Sequence, residues 1–304
     1  MAPLVSVIIP TYNRSEHLLR AINSVLSQTF SDFELIIIDD ASTDDTSQTV
    51  ERFSDNRIRY YKKGVNEGGG AARNAGISYA SGKYVAFLDS DDEWMLNKLE
   101  LQIGHMEKHN AFVSYTGFIL WDDMRKMEIG EQRPTCQGNI SEEILKRNCV
   151  GTTSTVVVRQ ECFTNTGGFD VRMPQSQDWE MWIRLAESYH FHPIDSILCR
   201  YHVHSGLQIT DNPAKAAIGM ELLLNKHIDK ISVNRKVYAQ HLARIGLLKA
   251  LSSGVREGRN EQCHAIVQYP FLIEAYINLL RMAFGQKCFD ALYRAFSKKL
   301  KPTV

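Results

Sequence analysis

Short apolar runs alternate with segments of helical pattern four times within roughly the first ninety residues. The four runs are LVSVIIP at 4–10, FELIII at 33–38, IRYYKK at 58–63 and YVAFL at 84–88. The segments between them carry apolar side chains at helical spacing, for example Leu18, Leu19 and Ile22. This alternation predicts a doubly wound α/β fold with a mostly parallel sheet. Sheets of that class bind ligands beyond the carboxyl ends of their strands.

Composition and charge narrow the class of protein further. The chain has 304 residues, of which 44% are apolar and 23% charged, and its formal net charge is zero. These values are ordinary for a globular protein and give no sign of a nucleic-acid partner. The six cysteines are scattered without a C-x-x-C pair, which is typical of free thiols in a reducing compartment. Because the apolar run near the amino terminus is too short for a signal peptide, we predict a cytoplasmic protein.

Three carboxylates follow the fourth apolar run directly, in FLDSDDEW at 87–94. Asp89, Asp91 and Asp92 repel one another and resist desolvation, so the cluster needs a counter-charge. Mg²⁺ or Mn²⁺ would supply it, because both accept oxygen ligands and often bind through one or two carboxylates plus a diphosphate. A solvated acidic turn that caps a helix starting near Leu96 fits the same residues, and D-x-D alone does not decide between the two.

Two common nucleotide-binding patterns are absent from the sequence. The turn after the first run is PTYNR, with no G-x-G-x-x-G, and the glycines at 68–70 lack the strand-turn-helix context. No G-x-x-x-x-G-K-[ST] loop occurs either. A nucleotide bound by this chain is therefore held neither in the Rossmann way nor in the P-loop way.

Four longer segments resemble those of a known family. The segments are VSVIIPTYNR, FELIIIDDASTDDT, NEGGGAARNAGISYASGKYVAFLDSDDEW and GGFD…SQDWEMWIRL. In order and spacing, over about residues 4–206, they resemble family 2 glycosyltransferases of the GT-A fold, of the bacterial surface-polysaccharide type. The resemblance implies a catalytic domain over 1–210, with the nucleotide-sugar side at about 1–100 and the acceptor side at about 101–210. Residues 211–304 are predicted to form a helical extension.

The resemblance implies a donor site at the ends of the first, second and fourth strands. Asp40 would hydrogen-bond the base or ribose with Asp39 beside it, and Asp89 would contact the ribose or the sugar. The other residues matched to the family's donor site are Pro10, Thr11, Tyr12, Arg73, Asn74 and Ser90. Asp91 would hold Mn²⁺ or Mg²⁺ on the diphosphate, with Asp92 as a reserve candidate.

Two histidines are alternatives for a further contact with the metal. Members of the family often place an arginine or a histidine late in the catalytic domain, where it touches the metal or the diphosphate. The segment CRYHVHSG offers His202 and His204 at that place. The resemblance favours His204 only slightly.

The general base is implied at Asp178. The family's Glu-Asp motif appears here as Gln177 followed by this aspartate, which would take the proton of the acceptor hydroxyl. A place in the first turn of a helix predicts a lowered pKa for Asp178 and a weaker base, so Glu180 stays as a reserve candidate. Trp182 is predicted in the core, whereas Trp94 is predicted near the acceptor as a further reserve candidate.

The implied activity is inverting transfer of a sugar from a nucleotide diphosphate sugar, with UDP as the expected nucleotide. The acceptor would be a glycan or a lipid-linked molecule in cell-surface polysaccharide synthesis. A non-catalytic scaffold that binds a nucleotide-sugar or a partner is one alternative, and loss of Asp91 or Asp178 would mark it, yet both are present. A sugar nucleotidyltransferase is a second alternative, but it would carry a glycine-rich basic loop where this chain has PTYNR.

The carboxy-terminal tail, residues 284–304, is basic and has apolar residues at helical spacing. The apolar residues are Phe289, Leu292, Tyr293 and Phe296, and the basic ones are Arg294, Lys298, Lys299 and Lys301. This composition is typical of an interfacial helix on anionic lipid, which would place the protein at the inner face of the membrane. A helix docked on the domain, with a fraying basic end, fits the same residues.

Overall fold

The computed structural model describes residues 2–204 and 212–286, together with residues 288, 289, 291 and 293. Its strands are β1 (Val5–Thr11), β2 (Phe33–Asp39), β3 (Ile58–Lys62), β4 (Tyr84–Phe87), β5 (Glu93–Trp94), β6 (Val113–Asp122), β7 (Met127–Gln132), β8 (Val156–Arg159) and β9 (Phe191–Val203). Within the described residues they form one sheet in the order β3-β2-β1-β4-β8-β6-β9-β5, and β7 pairs with β6.

Helices connect the strands and make up most of the described chain after β9. They are α1 (Ser15–Leu26), α2 (Thr46–Glu51), α3 (Gly69–Tyr79), α4 (Lys98–His109), α5 (Ser141–Lys146), α6 (Gln160–Thr166), α7 (Gln177–Ser188), α8 (Pro213–Lys226), α9 (Ile228–Ile231), α10 (Arg235–Ser252), α11 (Val255–Gln268) and α12 (Ile273–Ala283). A 3₁₀ turn at Thr153–Thr155 directly precedes β8.

The first part of the sheet is parallel. β1 pairs in parallel with β2 and with β4, and β2 pairs in parallel with β3. Every residue of β1 and β2 is buried, which explains why their sequences are continuous apolar runs rather than alternating ones. The predicted α/β class is confirmed. β8 departs from the parallel pattern, because it runs antiparallel to both β4 and β6.

The described residues divide into two compact units. The first consists of the described parts of Met1–Ile144, Cys149–Val171 and Asp178–Ser205. The second consists of the described parts of Leu145–Asn148, Arg172–Gln177 and Gly206–Val304. The boundary predicted after residue 210 stays a prediction. In the described part of the chain, no helix is both long enough and apolar enough to cross a membrane.

The tail that was predicted to meet a membrane is described only in part. Of the tail residues named in the prediction, those that lie outside the described residues are Leu292, Arg294, Phe296, Lys298, Lys299 and Lys301. Phe289 is described and is fully buried, in a cluster with Ala250 and Met282. Its predicted place on a lipid-facing surface is therefore wrong, because the side chain belongs to the core of the second unit.

Lys98, in the first turn of α4, is fully buried and is expected to lower the stability of the protein at neutral pH. Its Nζ donates to Gln102 Oε1 at 2.7 Å and lies 4.2 Å from the centre of the Trp94 ring. Desolvation lowers the pKa of Lys98 to about 7. An unfolded lysine has a pKa of about 10.4, so the unfolded chain binds the proton more tightly and stability rises with pH between about 7 and 10.

The substitution Lys98→Met is expected to raise the free energy of unfolding at pH 6 by about 3 kcal/mol and to remove this rise with pH. Urea unfolding at pH 6 and at pH 9 measures both effects. Lys108→Met, at an exposed position of the same helix, is the matched control and should change neither. A Lys98→Met protein that keeps the wild-type pH dependence would contradict the prediction.

Candidate active site

The candidate active site lies at the carboxyl ends of β1, β2 and β4. The parallel registers place Thr11 beside Asp39 and Ile8 beside Phe87. Beyond these ends the chain continues into polar residues, and the Asp40 N–H donates to the Thr11 carbonyl at 2.9 Å. The acids that follow the second and fourth strands therefore meet at one edge of the sheet.

Asp89 is paired with an arginine and held by a hydroxyl group. Arg73 Nη2, from α3, donates to Asp89 Oδ1 at 2.5 Å, and Thr153 Oγ1 lies 3.1 Å from both carboxylate oxygens. The Asp89 backbone N–H donates to Ser154 Oγ at 3.0 Å. About a quarter of the Asp89 side chain stays exposed. Two residues matched to the donor site, Arg73 and Asp89, thus lie together and in reach of solvent.

Asp91 contacts a second arginine and a histidine. Arg14 Nη1 donates to Asp91 Oδ2 and lies 3.1 Å from His204 Nε2. His204 Nε2 is 3.3 Å from the same carboxylate oxygen, and its ring stacks on His17 with 4.3 Å between centroids. Burial by itself would raise the pKa of Asp91, but the His204 hydrogen bond and the Arg14 charge outweigh burial, so the pKa is lowered. Asp91 is therefore a carboxylate at neutral pH.

Asp91 Oδ2 and His204 Nε2 lie 3.3 Å apart, and Arg14 Nη1 contacts both atoms, so a metal bound between them would replace the Arg14 contacts. Mn²⁺ accepts both kinds of ligand, whereas Mg²⁺ favours oxygen. A metal that acts on a diphosphate needs few protein ligands, since phosphate oxygens and water complete its coordination. Among the residues that the structure describes, no group of three or more acidic, histidine or cysteine side chains is arranged to hold a metal. Asp91 and His204 therefore fit a metal whose coordination a diphosphate completes.

Asp92, the reserve metal ligand, is buried and has a structural partner on each oxygen. It accepts from Ser154 Oγ at 2.5 Å and from the His202 backbone N–H at 3.3 Å. Burial raises the pKa of Asp92 well above its usual range, and repulsion from Asp91 and Asp89 raises it further. A carboxyl group that resists ionisation suits a packing role and makes a poor metal ligand.

His202 is directed to a different acidic pair. Its Nδ1 lies 2.6 Å from Asp123 Oδ1, and its Nε2 lies 3.4 Å from Glu93 Oε2. The side chain is almost completely buried. Of the two histidines that the sequence left open, the structure brings His204 to Asp91 and keeps His202 within the sheet.

Asp39 is fully buried at the end of β2. Its Oδ1 accepts from the Ser42 N–H at 2.7 Å, and its Oδ2 accepts from the Tyr60 hydroxyl at 2.5 Å. Burial, followed by this hydrogen bond and the Asp39 charge, raises the pKa of Tyr60. Asp39 therefore fixes the turn after β2 and ties it to β3.

Asp40 organises the glycine-rich loop that precedes α3. Its Oδ1 accepts from Lys63 Nζ at 2.8 Å, and its Oδ2 accepts from the Gly68 N–H at 2.6 Å. The Glu67 N–H lies 3.1 Å from both oxygens. A base or ribose that contacts Asp40 would have to share these oxygens, so its predicted donor contact stays a prediction.

The remaining strand-end residues offer different groups to a ligand. Pro10 and Ser90 are buried, whereas Tyr12 is 44% exposed and presents an aromatic ring on which a base can stack. Thr11 Oγ1 is buried and has no hydrogen-bond partner within the described residues. A ligand hydroxyl or carbonyl would satisfy it, because buried polar groups rarely stay unpaired.

Asn74 holds the backbone of the segment that leads to α7. Its Nδ2 donates to the Phe169 carbonyl at 2.8 Å, and its Oδ1 accepts from the Phe169 N–H at 2.7 Å. A Cβ at Gly168 would lie 2.2 Å from Asn74 Oδ1, so glycine is required there. Asn74 thus positions GGFD, and its predicted closeness to the nucleotide-sugar stays a prediction.

Asp178 lies in the first turn of α7 and is partly exposed. Desolvation by the surrounding protein raises its pKa, and the charge of Asp89 adds to the rise. The Trp179 N–H and the Arg73 charge oppose it without cancelling it. The lowered pKa predicted from the helix dipole is therefore wrong, because desolvation outweighs the helix terminus. A raised pKa makes this carboxylate a stronger base.

Glu180, the reserve candidate for the base, is fully buried. Arg184 Nε donates to its Oε1 at 2.8 Å and Arg184 Nη2 to its Oε2 at 2.9 Å. The same Nη2 also donates to the Gly168 carbonyl at 2.7 Å. This two-point ion pair lies within α7 and holds Arg184 in place for its hydrogen bond to Gly168, which joins the helix to the segment before it. Glu180 therefore has a structural role.

Trp94, predicted near the acceptor, is instead part of the core. It is 3% exposed, and its Nε1 donates to the Ser154 carbonyl at 2.7 Å. Lys98 Nζ lies over one face of its ring. The prediction therefore needs correcting, because an enclosed ring cannot stack on a sugar. Trp182 is fully buried, which confirms the core position predicted for it.

No role was predicted for Arg14, His17 or Thr153, which the structure brings to this edge. Arg14 belongs to the quoted PTYNR segment, and Thr153 begins the 3₁₀ turn before β8. The excess of acidic residues at the strand ends could have indicated such partners, because each buried carboxylate needs a cation or a hydrogen-bond donor beside it.

A family model described as glycosyl transferase family 2 matches residues 6–160, just over half of the chain. The chain belongs to glycosyltransferase family 2. Among its family 2 relatives, WfaP of Escherichia coli is 31% identical over 260 residues, which cover 84% of this chain and 99% of WfaP. WfgD of Escherichia coli is 33% identical over 214 residues, 70% of this chain and 81% of WfgD.

Other family 2 relatives are much longer than this chain. An uncharacterized glycosyltransferase of Rickettsia felis is 37% identical over 217 residues, which cover 71% of this chain and 36% of the relative. The matched part of the chain thus spans about a third of the length of the Rickettsia relatives.

Two solved structures have a similar fold. S. aureus TarS 1–349 in complex with UDP-GlcNAc has a TM-score of 0.68 at 18% identity, covering 98% of this chain and 92% of TarS. The mannosyltransferase PcManGT from Pyrobaculum calidifontis, in complex with GDP-Man and Mn²⁺, has a TM-score of 0.58 at 16% identity. The match covers 92% of this chain and 88% of PcManGT. At these identities the likeness concerns the fold alone, and it confirms the predicted GT-A class.

Proposed function

We propose that this family 2 chain transfers a sugar, with inversion, from a UDP-sugar to a glycan or lipid-linked acceptor in cell-surface polysaccharide synthesis. WfgD and WfaP are each named a UDP-Glc:alpha-D-GlcNAc-diphosphoundecaprenol beta-1,3-glucosyltransferase. TuaG of Bacillus subtilis is named a putative teichuronic acid biosynthesis glycosyltransferase. These names, and the UDP-GlcNAc bound by TarS, support the proposed classes of donor and acceptor.

The observation that carries the proposal is the placement of Asp178. The charges of both Asp89 and Arg73 act on its pKa, so Asp178 lies near the Arg73–Asp89 pair. Inverting transfer needs a base beside the donor site, and the raised pKa of Asp178 suits that role.

In the proposed reaction each residue has a separate task. The Tyr12 ring stacks on the base, and the Arg73–Asp89 pair orients the ribose and sugar. The acceptor hydroxyl attacks the anomeric carbon, the bond from that carbon to the diphosphate oxygen breaks, and Asp178 takes the hydroxyl proton. UDP leaves with the electron pair of the broken bond.

A metal is proposed at Asp91 and His204, whose Oδ2 and Nε2 atoms lie 3.3 Å apart. When bound, Mn²⁺ or Mg²⁺ stabilises the negative charge that develops on the departing diphosphate. The Mn²⁺ bound with GDP-Man in PcManGT, a protein of similar fold, supports the proposal of a metal here. Arg14, which contacts the same two atoms, would leave them to the metal and supply a further positive charge for the diphosphate.

We also propose that the chain works in the cytoplasm, at the inner face of the membrane. All six cysteines are described and none forms a disulfide, in agreement with a reducing compartment. A lipid-linked acceptor would be reached at the membrane surface.

Calorimetric titration of UDP, GDP, dTDP and CMP, each in Mn²⁺ and in EDTA, tests the proposal. We expect UDP to bind in Mn²⁺ at least about tenfold more tightly than GDP, and because the two share ribose and diphosphate, the difference would measure recognition of the base. In EDTA the UDP affinity should fall by about tenfold or more. Equal binding of all four nucleotides, or none in either buffer, would contradict the proposal and favour the non-catalytic scaffold.

A further inference from the structure

Helix α12 presents its large apolar side chains to solvent. Its exposed residues are Ile273 (71%), Tyr276 (47%), Ile277 (44%), Leu280 (64%) and Phe284 (66%), the last of them just beyond the helix. They recur every three or four positions, which places them on one side of the helix. We call these five residues the α12 apolar face.

The opposite side of α12 packs against the rest of the second unit, and it is less apolar than the exposed side. Its buried residues are Ala275, Asn278 and Met282. A surface helix normally turns its bulky apolar residues inward and its polar residues outward. The reversed orientation is not explained by packing of this unit, and contiguous exposed apolar surface of this kind marks an interaction site.

The charge of the adjoining chain indicates which partner fits. From residue 281 to residue 304 the sequence contains six lysines and arginines and one aspartate. Because the net charge of the whole chain is zero, residues before 281 are net acidic, and the excess of positive charge follows the α12 apolar face in the sequence. Apolar side chains next to concentrated basic charge are typical of binding to anionic lipid.

We propose that the α12 apolar face docks on the surface of an anionic lipid bilayer. The aromatic and aliphatic side chains would enter the headgroup region, and Arg281 would meet lipid phosphates. A second copy of this chain is a poorer occupant, because pairing these faces would bring two strongly basic segments together. The inference gives the proposed transferase a route to a lipid-linked acceptor, but lipid binding itself needs neither donor nor acceptor.

Co-sedimentation of the full chain with lipid vesicles tests the proposal. Vesicles of phosphatidylcholine are compared with vesicles that also contain phosphatidylglycerol, for the wild type and for the double variant Leu280→Asp/Phe284→Asp. We expect the wild type to bind the anionic vesicles, with weaker binding at high salt. The double variant should bind about tenfold or more weakly, since it loses two buried apolar side chains and gains two negative charges.

Val233→Asp is the matched control, because Val233 is 83% exposed and lies outside α12. It should bind vesicles as the wild type does.

Circular dichroism establishes that each variant is folded, and light scattering measures its mass. Wild-type protein that stays in the supernatant with both vesicles, or a double variant that binds as the wild type does, would overturn the proposal. A wild-type dimer that the double variant converts to monomer would overturn it in favour of a self-association surface. UDP titration on the same samples shows independently whether the donor site is intact.

Discussion

Asp91→Asn is expected to weaken UDP binding in Mn²⁺ by about a hundredfold and to make the remaining affinity insensitive to EDTA. Asp91 Oδ2 and His204 Nε2 form the proposed metal position, and an amide cannot supply the negative charge that a divalent ion requires. Calorimetric titration of UDP, with Mn²⁺ and with EDTA, measures both effects. Asp91 and Arg14 are each more than four-fifths buried, so the variant also weakens a largely buried ion pair, and urea unfolding establishes that it is folded under the conditions of the titration.

Asp92→Asn is the natural control for this variant, since it makes the same change at the next residue. Asp92 is buried, its pKa is raised, and both oxygens accept hydrogen bonds from Ser154 and the His202 backbone. A neutral amide should be tolerated there, with UDP affinity within about threefold of the wild type. If Asp91→Asn kept its response to Mn²⁺, or if the Asp92 variant alone lost it, the assignment of the metal ligand would be wrong.

The parallel half of the fold could be predicted from the sequence because burial on both faces leaves a simple pattern. LVSVIIP and FELIII are continuous apolar runs, and both became fully buried strands. The direction of β8 could not be predicted, because VVVR reads the same in a parallel and an antiparallel strand. Leu19 was placed on the buried face of α1 by its spacing, yet it is 37% exposed. Helical spacing fixes a face only to within about one residue.

The site was predictable where a residue follows the end of a strand and uncertain where contacts are distant in sequence. Asp89 and Asp91 directly follow β4, so their position was set by the alternation of strand and helix. The choice of His204 over His202 depends on a 113-residue separation from Asp91 that no local pattern encodes. The pKa of Asp178 depends in the same way on tertiary desolvation, which is why the helix dipole gave the wrong direction.

Asp178→Asn is expected to lower kcat by about a hundredfold to ten-thousandfold while UDP affinity stays within about twofold. The amide keeps the shape of the side chain but cannot accept the proton of the acceptor hydroxyl. Because the pKa of Asp178 is raised, the acid side of the wild-type pH profile of kcat should lie above the usual aspartate range. Transfer assays across pH, with the nucleotide identified by titration, measure the loss and the profile. A variant that keeps the wild-type kcat would rule out Asp178 as the base.

The stability of the Asp178→Asn variant distinguishes a catalytic role of Asp178 from a structural one. The folded protein holds the Asp178 proton more tightly than the unfolded chain does, so ionisation of Asp178 lowers stability as pH rises from about 4 to its folded pKa. Asp178→Asn removes that cost and should be at least as stable as the wild type at pH 7. Glu180→Gln, in contrast, breaks a buried ion pair with Arg184 and should lose about 3 kcal/mol. If both variants were destabilised alike, lost activity at Asp178 would reflect damage to α7, and the base would have to be sought elsewhere.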